Sequence, residues 1–191
     1  MAFLLALLIC CSTAPPEPVE PLRVVFISAD ADAGVFTKAE EAEGLARAAR
    51  ALAFWEARAG LPFPLAVEHG GSFVAEGEVG PWLAELGAHD ALTVYVVKVP
   101  PYPFGPVRAY ALHELRYAVV TWDAPLGPEA VLAHELGHLL YGLADTYPCG
   151  ETDVMCNPSS AYPHRLGCQT LEALGGRCWR VGLPLIQGGA L

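Results

Sequence analysis

Residues 134–147 read HELGHLLYGLADTY, and the spacing of the polar residues in this stretch decides what kind of chain this is. His134 and His138 are four residues apart. On a helix both imidazoles then lie on one face, one turn apart, within reach of a single ion. Glu135 stands beside the first imidazole, where its carboxylate reaches a water on that ion rather than the ion itself. The helix is well specified: Pro128 occupies a favoured first position with Glu129 in the first turn. Leu132, Leu136, Leu139 and Leu143 recur on the face away from the histidines, ready for burial. Gly137 lets another element pack close beside the ligands.

Gly142 ends the periodic run, and Asp145 follows seven residues after His138. A chain turned back at Gly142 would carry Asp145 to the ion as a third ligand. The competing reading is an Asp at a helix end that bonds backbone amides. Glu151, Glu172 and His164 are the other candidates for the third position. Two imidazoles and a carboxylate leave a fourth position open for water, which a divalent cation acidifies while polarising a substrate carbonyl. Glu135 would take the proton from that water and pass it to a leaving amine. The chemistry is hydrolysis.

The pattern H-E-x-x-H-x-x-x-G-L-x-D-x-Y, carried by His134, Glu135, His138, Gly142, Leu143, Asp145 and Tyr147, resembles the IgA-specific metalloendopeptidase family of bacterial zinc peptidases. It is also similar to the metzincin pattern, with the Gly and the third ligand displaced one residue downstream. The resemblance implies one catalytic Zn2+ held by His134, His138 and Asp145, Glu135 as the base, and peptide or protein as substrate. It further implies that Met155, in the stretch Asp153-Val154-Met155, forms a methionine turn beneath the metal. Tyr147 or Tyr162 is a candidate to hydrogen-bond a developing oxyanion. The specific likeness covers about residues 131–157, and immunoglobulin as substrate does not follow from it. Two other readings compete: a non-catalytic extracellular binding domain on the same fold, against which Glu135 argues, and a zinc amidase acting on cell-wall peptide, which shares the metal chemistry and differs in cleft shape.

The rest of the chain fits one such unit. Its 191 residues suit a single domain with a real core. With 21 acidic residues against 11 basic and a formal charge of -10, nucleic acid and anionic membrane surfaces are poor partners. A monomer is the working expectation.

The apolar run Ala2–Cys11 is too short to span a bilayer and suits the core of a signal peptide, so residues 1–11 are read as an export signal. Cys10 and Cys11 close that run in the manner of a lipoprotein signal. A lipid on Cys10 or Cys11 would tether the chain to the outer face of a membrane, and a cleaved signal without lipid would leave it secreted. Residues 12–21, rich in Pro and Glu, are a stiff spacer. The peptidase domain then runs over 22–191. Cys149, Cys156, Cys168 and Cys178 fall in the last quarter with no C-x-x-C pair, which in an exported chain predicts two disulfides; of the three possible connectivities, Cys149 with Cys156 and Cys168 with Cys178 is the favoured one.

The elements expected upstream are strands over 22–28, 64–68, 92–99, 107–112 and 116–122, and a helix over 38–59 capped by Thr37. That helix carries Leu45, Ala49, Leu52 and Trp55 on one stripe, with Glu41, Arg47, Arg50 and Arg58 elsewhere. Short helices are expected over 81–86 and 170–174. The order predicts an α/β layer followed by a loop-rich part. With the resemblance, the fold class is an α/β (α+β) zincin. It comprises a metzincin-like mixed twisted sheet, a long helix and an active-site helix, then a disulfide-stapled C-terminal part. Residues 107–112 are a candidate edge strand for an extended substrate.

Overall fold

The computed structural model describes residues 19–28, 34–75, 83, 85–98, 109–122, 128–146, 153–156, 166 and 168–175. Its elements are β1 (Glu20–Ser28), α1 (Lys38–Ala59), β2 (Leu65–Val74), β3 (Leu92–Lys98), β4 (Ala109–Leu112), β5 (Tyr117–Thr121), α2 (Pro128–Tyr141) and α3 (Cys168–Ala173). A 3₁₀ turn, His113–Leu115, joins β4 to β5.

The five strands form one mixed sheet in the order β2-β1-β3-β5-β4. β2, β1, β3 and β5 run parallel, and β4 pairs antiparallel to β5 at one edge. The expected edge strand is therefore an edge strand. Central strands of a parallel sheet are covered on both faces, which is why VVFIS and LTVYVV read as continuous apolar runs. Val24, Phe26, Val94, Val96, Ala118 and Val120 pack toward α1 and α2, while Val25, Ile27, Tyr95, Val97, Tyr117 and Val119 form a second cluster on the other face with Leu83.

Helix α1 starts where the sequence places it. Thr37 accepts from the Glu40 amide at 3.2 Å, and Glu40 Oε2 accepts from the Thr37 amide at 2.8 Å, which closes a capping box. The buried stripe differs from expectation. Ala48 and Ala51 are buried with Leu52 and Trp55, Ala49 faces solvent, and Glu41 is buried. Glu41 tolerates burial because Lys38 Nζ donates to Oε2 at 2.8 Å and Ser72 of β2 donates to Oε1. Those two bonds hold its carboxyl below the usual range against the opposing effect of burial.

Strand boundaries move as well. β1 begins at Glu20, two residues inside the expected spacer, since the Glu20 amide donates to the Pro64 carbonyl at 2.9 Å and its carboxylate pairs with Arg116. β2 continues to Val74 beyond the expected end at 68, because a register shift opposite Val24 and Val25 absorbs Gly70 as a bulge and pairing resumes at Gly71. α3 spans Cys168–Ala173 rather than 170–174. No helix among the described residues is long and apolar enough to cross a membrane.

Helix α2 lies on the same sheet face as α1, and Gly137 is where they meet the segment around Met155. A Cβ on Gly137 would stand 2.3 Å from Met155 Sδ and 2.7 Å from Trp55 Cζ2. Trp55 Nε1 donates to the Ala133 carbonyl at 2.7 Å, which locks the indole across α2. In an exposed helix, Gly→Ala stabilises by roughly 1 kcal/mol. Here the sign reverses: Gly137→Ala should destabilise by about 1–3 kcal/mol through overpacking, seen as a lowered thermal midpoint.

Candidate metal centre

Helix α2 positions three of the four residues singled out for chemistry. His134 and Glu135 are buried at 7% and 5% exposure, and His138 is partly exposed. Leu136, Leu139, Leu140 and Leu143 fill the core on the far side of the helix. The helix ends at Gly142, whose φ of 62° is left-handed and whose amide returns to the His138 carbonyl at 2.9 Å. That reversal sends Leu143 to Asp145 back across the imidazoles. The extra residue before the glycine is absorbed by helix: α2 runs through Tyr141, and the turn follows immediately.

Three ligand atoms converge. His134 Nε2 and His138 Nε2 are 3.0 Å apart, and Asp145 Oδ1 lies 3.2 Å from the first and 3.3 Å from the second. Bonds of about 2.0–2.1 Å to a tetrahedral ion require ligand separations of roughly 3.3–3.4 Å. The triangle fits one zinc-sized ion, with no fourth His, Cys, Asp or Glu ligand among the described residues. Among the described residues His134, His138 and Asp145 are also the one group of His, Cys, Asp and Glu gathered closely enough to hold a metal.

The ring tautomers suit the task. His134 Nδ1 donates to the Val154 carbonyl at 2.8 Å, and His138 Nδ1 donates to the Leu143 carbonyl. Each bond leaves an Nε2 lone pair directed into the triangle. Burial pulls the His134 pKa below its ordinary value, and the Val154 bond and Asp145 offset this only in part, so the ring stays neutral as a ligand must.

Glu135 is held apart from the triangle. Its carboxyl is pushed up to about 8, first by burial and then by the charge on Asp145. Its Oε2 has no hydrogen-bond partner among the described residues. A buried carboxylate without a partner is costly, and a cation in the triangle would supply the missing favourable field and lower its pKa.

The segment after Asp145 folds under α2. Thr146 and Cys156 form a parallel bridge, with the Thr146 amide donating to the Met155 carbonyl at 2.8 Å. Met155 is fully buried with its sulfur toward Gly137. Glu172, a candidate ligand, is exposed on α3 and does not join the cluster. Glu151, His164, Tyr147 and Tyr162 lie outside the described residues, as do Cys149 and Cys178 and the side chain of Cys168. Cys156 is in a disulfide.

Two side chains whose contacts the sequence does not announce also support the site. His113, in the turn after β4, donates from Nδ1 to the Leu139 carbonyl at 2.9 Å, satisfying an acceptor in the last turn of α2 and packing beside Gly142. Asp153 is buried and accepts from Thr146, Thr170 and the Met155 amide. An isolated His and an Asp in a loop look like surface residues until the chain is folded.

No family model matches the chain, and no curated protein does. Among solved structures it is similar to metalloproteinase-II from Bacteroides fragilis, at 15% identity and a TM-score of 0.49, covering 87% of this chain and 56% of that one. It is also similar to a zinc-dependent peptidase from Methanocorpusculum labreanum, at 14% identity and a TM-score of 0.42, covering 79% of this chain and 99% of that one. A third, from a chaperone–substrate complex, has 10% identity and a TM-score of 0.49 over 82% of this chain and 37% of that one. The chain thus spans about half the length of the Bacteroides protein. At these identities and scores, activity does not pass from those proteins to this one, and the chemistry rests on the site itself.

Proposed function

We propose that this chain is a zinc-dependent metalloendopeptidase in which His134, His138 and Asp145 hold the ion and Glu135 is the general base. The observation that carries the reading is the triangle of ligand atoms 3.0–3.3 Å apart, with both imidazoles oriented by backbone carbonyls. The buried carboxylate of Glu135 next to it supports a catalytic reading over a structural one, because a purely structural ion needs no base. When bound, zinc supplies Lewis acidity toward a carbonyl and lowers the pKa of water.

The chain's own residues do the remainder. Glu135 receives a proton from the attacking water and delivers it to the departing amine, which balances the step: a C–O bond forms, the C–N bond breaks, and the carboxyl returns to its starting state. The short β4, at the edge of the sheet among the described residues, supports an extended peptide as substrate. We also propose, on the sequence alone, export with an optional lipid on Cys10 or Cys11. The two disulfides Cys149–Cys156 and Cys168–Cys178 are proposed likewise.

The experiment is cleavage of a mixed peptide library by the purified full chain. Hydrolysis should vanish on chelation and return with one equivalent of zinc. Zinc bound with no cleavage of peptides, but with cleavage of cell-wall fragments, would favour the amidase. Zinc bound with no cleavage of either would leave a binding domain.

A further inference from the structure

We propose that Asp153 is the positioning residue of the metal centre, fixing Asp145 and His134 together and clamped in turn by Thr170 of α3. This rests on the reading of His134, His138 and Asp145 as metal ligands.

Asp153 is 9% exposed, and the partners of its carboxylate come from three separate segments. Thr170 Oγ1 lies 2.9 Å from Oδ1 and 3.0 Å from Oδ2, straddling the group. Thr146 Oγ1 donates to Oδ2 at 3.3 Å, and the Met155 amide donates to Oδ1 at 3.1 Å. Thr146 and Thr170 are themselves buried. A carboxylate taken out of water must be surrounded by donors, so this one fixes whatever supplies them.

Two of the three donors lead to the proposed ligands. Thr146 follows Asp145 directly, and two bonds hold its ends: its hydroxyl to Asp153 and its amide to the Met155 carbonyl at 2.8 Å. The peptide that orients Asp145 is therefore anchored one residue away from the ligand. On the other side, the turn that Asp153 closes through the Met155 amide contains Val154, whose carbonyl receives His134 Nδ1 at 2.8 Å. The Cys156 amide returns to the Asp153 carbonyl at 3.1 Å and completes the turn. One side chain thus governs a carboxylate ligand through Thr146 and an imidazole ligand through Val154. Helix α3, only six residues long, gains a purpose, since its Thr170 hydroxyl is the third donor.

The test uses the full chain with Thr170→Val, which keeps the shape and removes the hydroxyl, Thr170→Ser, which restores it, and Asp153→Asn. Zinc affinity is measured by chelator competition, and ligand geometry by the visible spectrum of the cobalt-substituted protein. Loss of a group that orients a metal ligand costs on the order of 10–100-fold in affinity. We expect Thr170→Val to weaken zinc about tenfold and shift the cobalt bands, Thr170→Ser to return both to near wild type, and Asp153→Asn to exceed Thr170→Val. If Asp153→Asn fails to fold, the Val and Ser pair decides alone. Wild-type zinc affinity and an unchanged cobalt spectrum in Thr170→Val would overturn the inference, even with a lowered melting temperature, because that is the mark of simple packing. A wild-type protein that binds no metal would instead sink the reading of the ligands themselves.

Discussion

Glu135→Gln should retain a full equivalent of zinc while peptide hydrolysis falls on the order of 10²–10⁴-fold, the range that a positioned general base supplies. The proposed ligand atoms belong to His134, His138 and Asp145, and Glu135 is not one of that group. The amide fills the same volume but cannot take a proton. Metal content and cleavage rate are measured on the same preparation, and activity within tenfold of wild type removes Glu135 from its role. Stability of the metal-free protein gives a second readout. In that state the folded Glu135 carboxyl titrates at about 8 against an ordinary 4.5. The folded form then binds more protons than the unfolded form between those values, so stability declines as pH rises through that window. Glu135→Gln should remove that decline and stabilise the metal-free protein by a few kcal/mol at pH 8–9, with little gain near pH 4.

The parts of this molecule that were legible in its sequence are those whose partners are near in the chain. The spacing of His134 and His138 is converted to geometry by helix pitch alone, and the leucines on the opposite face say which way that helix turns. The capping box at Thr37 and Glu40 closes within one turn. Glu41 was misplaced because its burial depends on Ser72, thirty-one residues away on β2. The same distance hides the clamp on Asp153. Thr170 is seventeen residues further on, and nothing in the composition of either segment announces that a hydroxyl and a carboxylate will meet. His113 is the same case across the gap from β4 to α2. Ligands are written in local spacing, while the groups that orient them are written in tertiary contacts.

Asp145 stands between these cases, since its offset from His138 is local but its approach to the two imidazoles depends on the Gly142 turn. Asp145→Ala should weaken zinc binding by more than the roughly 10–100-fold that loss of a supporting group costs, because the site would keep two protein ligands where a catalytic zinc has three. Glu172→Ala, on the exposed face of α3, should leave affinity within about twofold of wild type, as expected for a surface substitution remote from the ligands. Asp145→His is the sharper substitution. An imidazole at this position reaches further than a carboxylate, but the open φ of Gly142 gives the turn some latitude, so part of the lost affinity should return. Chelator competition on the three variants gives the order wild type, Asp145→His, Asp145→Ala. A zinc-bound crystal structure provides the independent check: one carboxylate oxygen of Asp145 at about 2.0–2.2 Å from the ion. Asp145 bonded only to backbone amides, with Glu151, His164 or Glu172 on the metal, would refute the assignment and place the chain in a different class of ligand set, with Glu135 still beside the water.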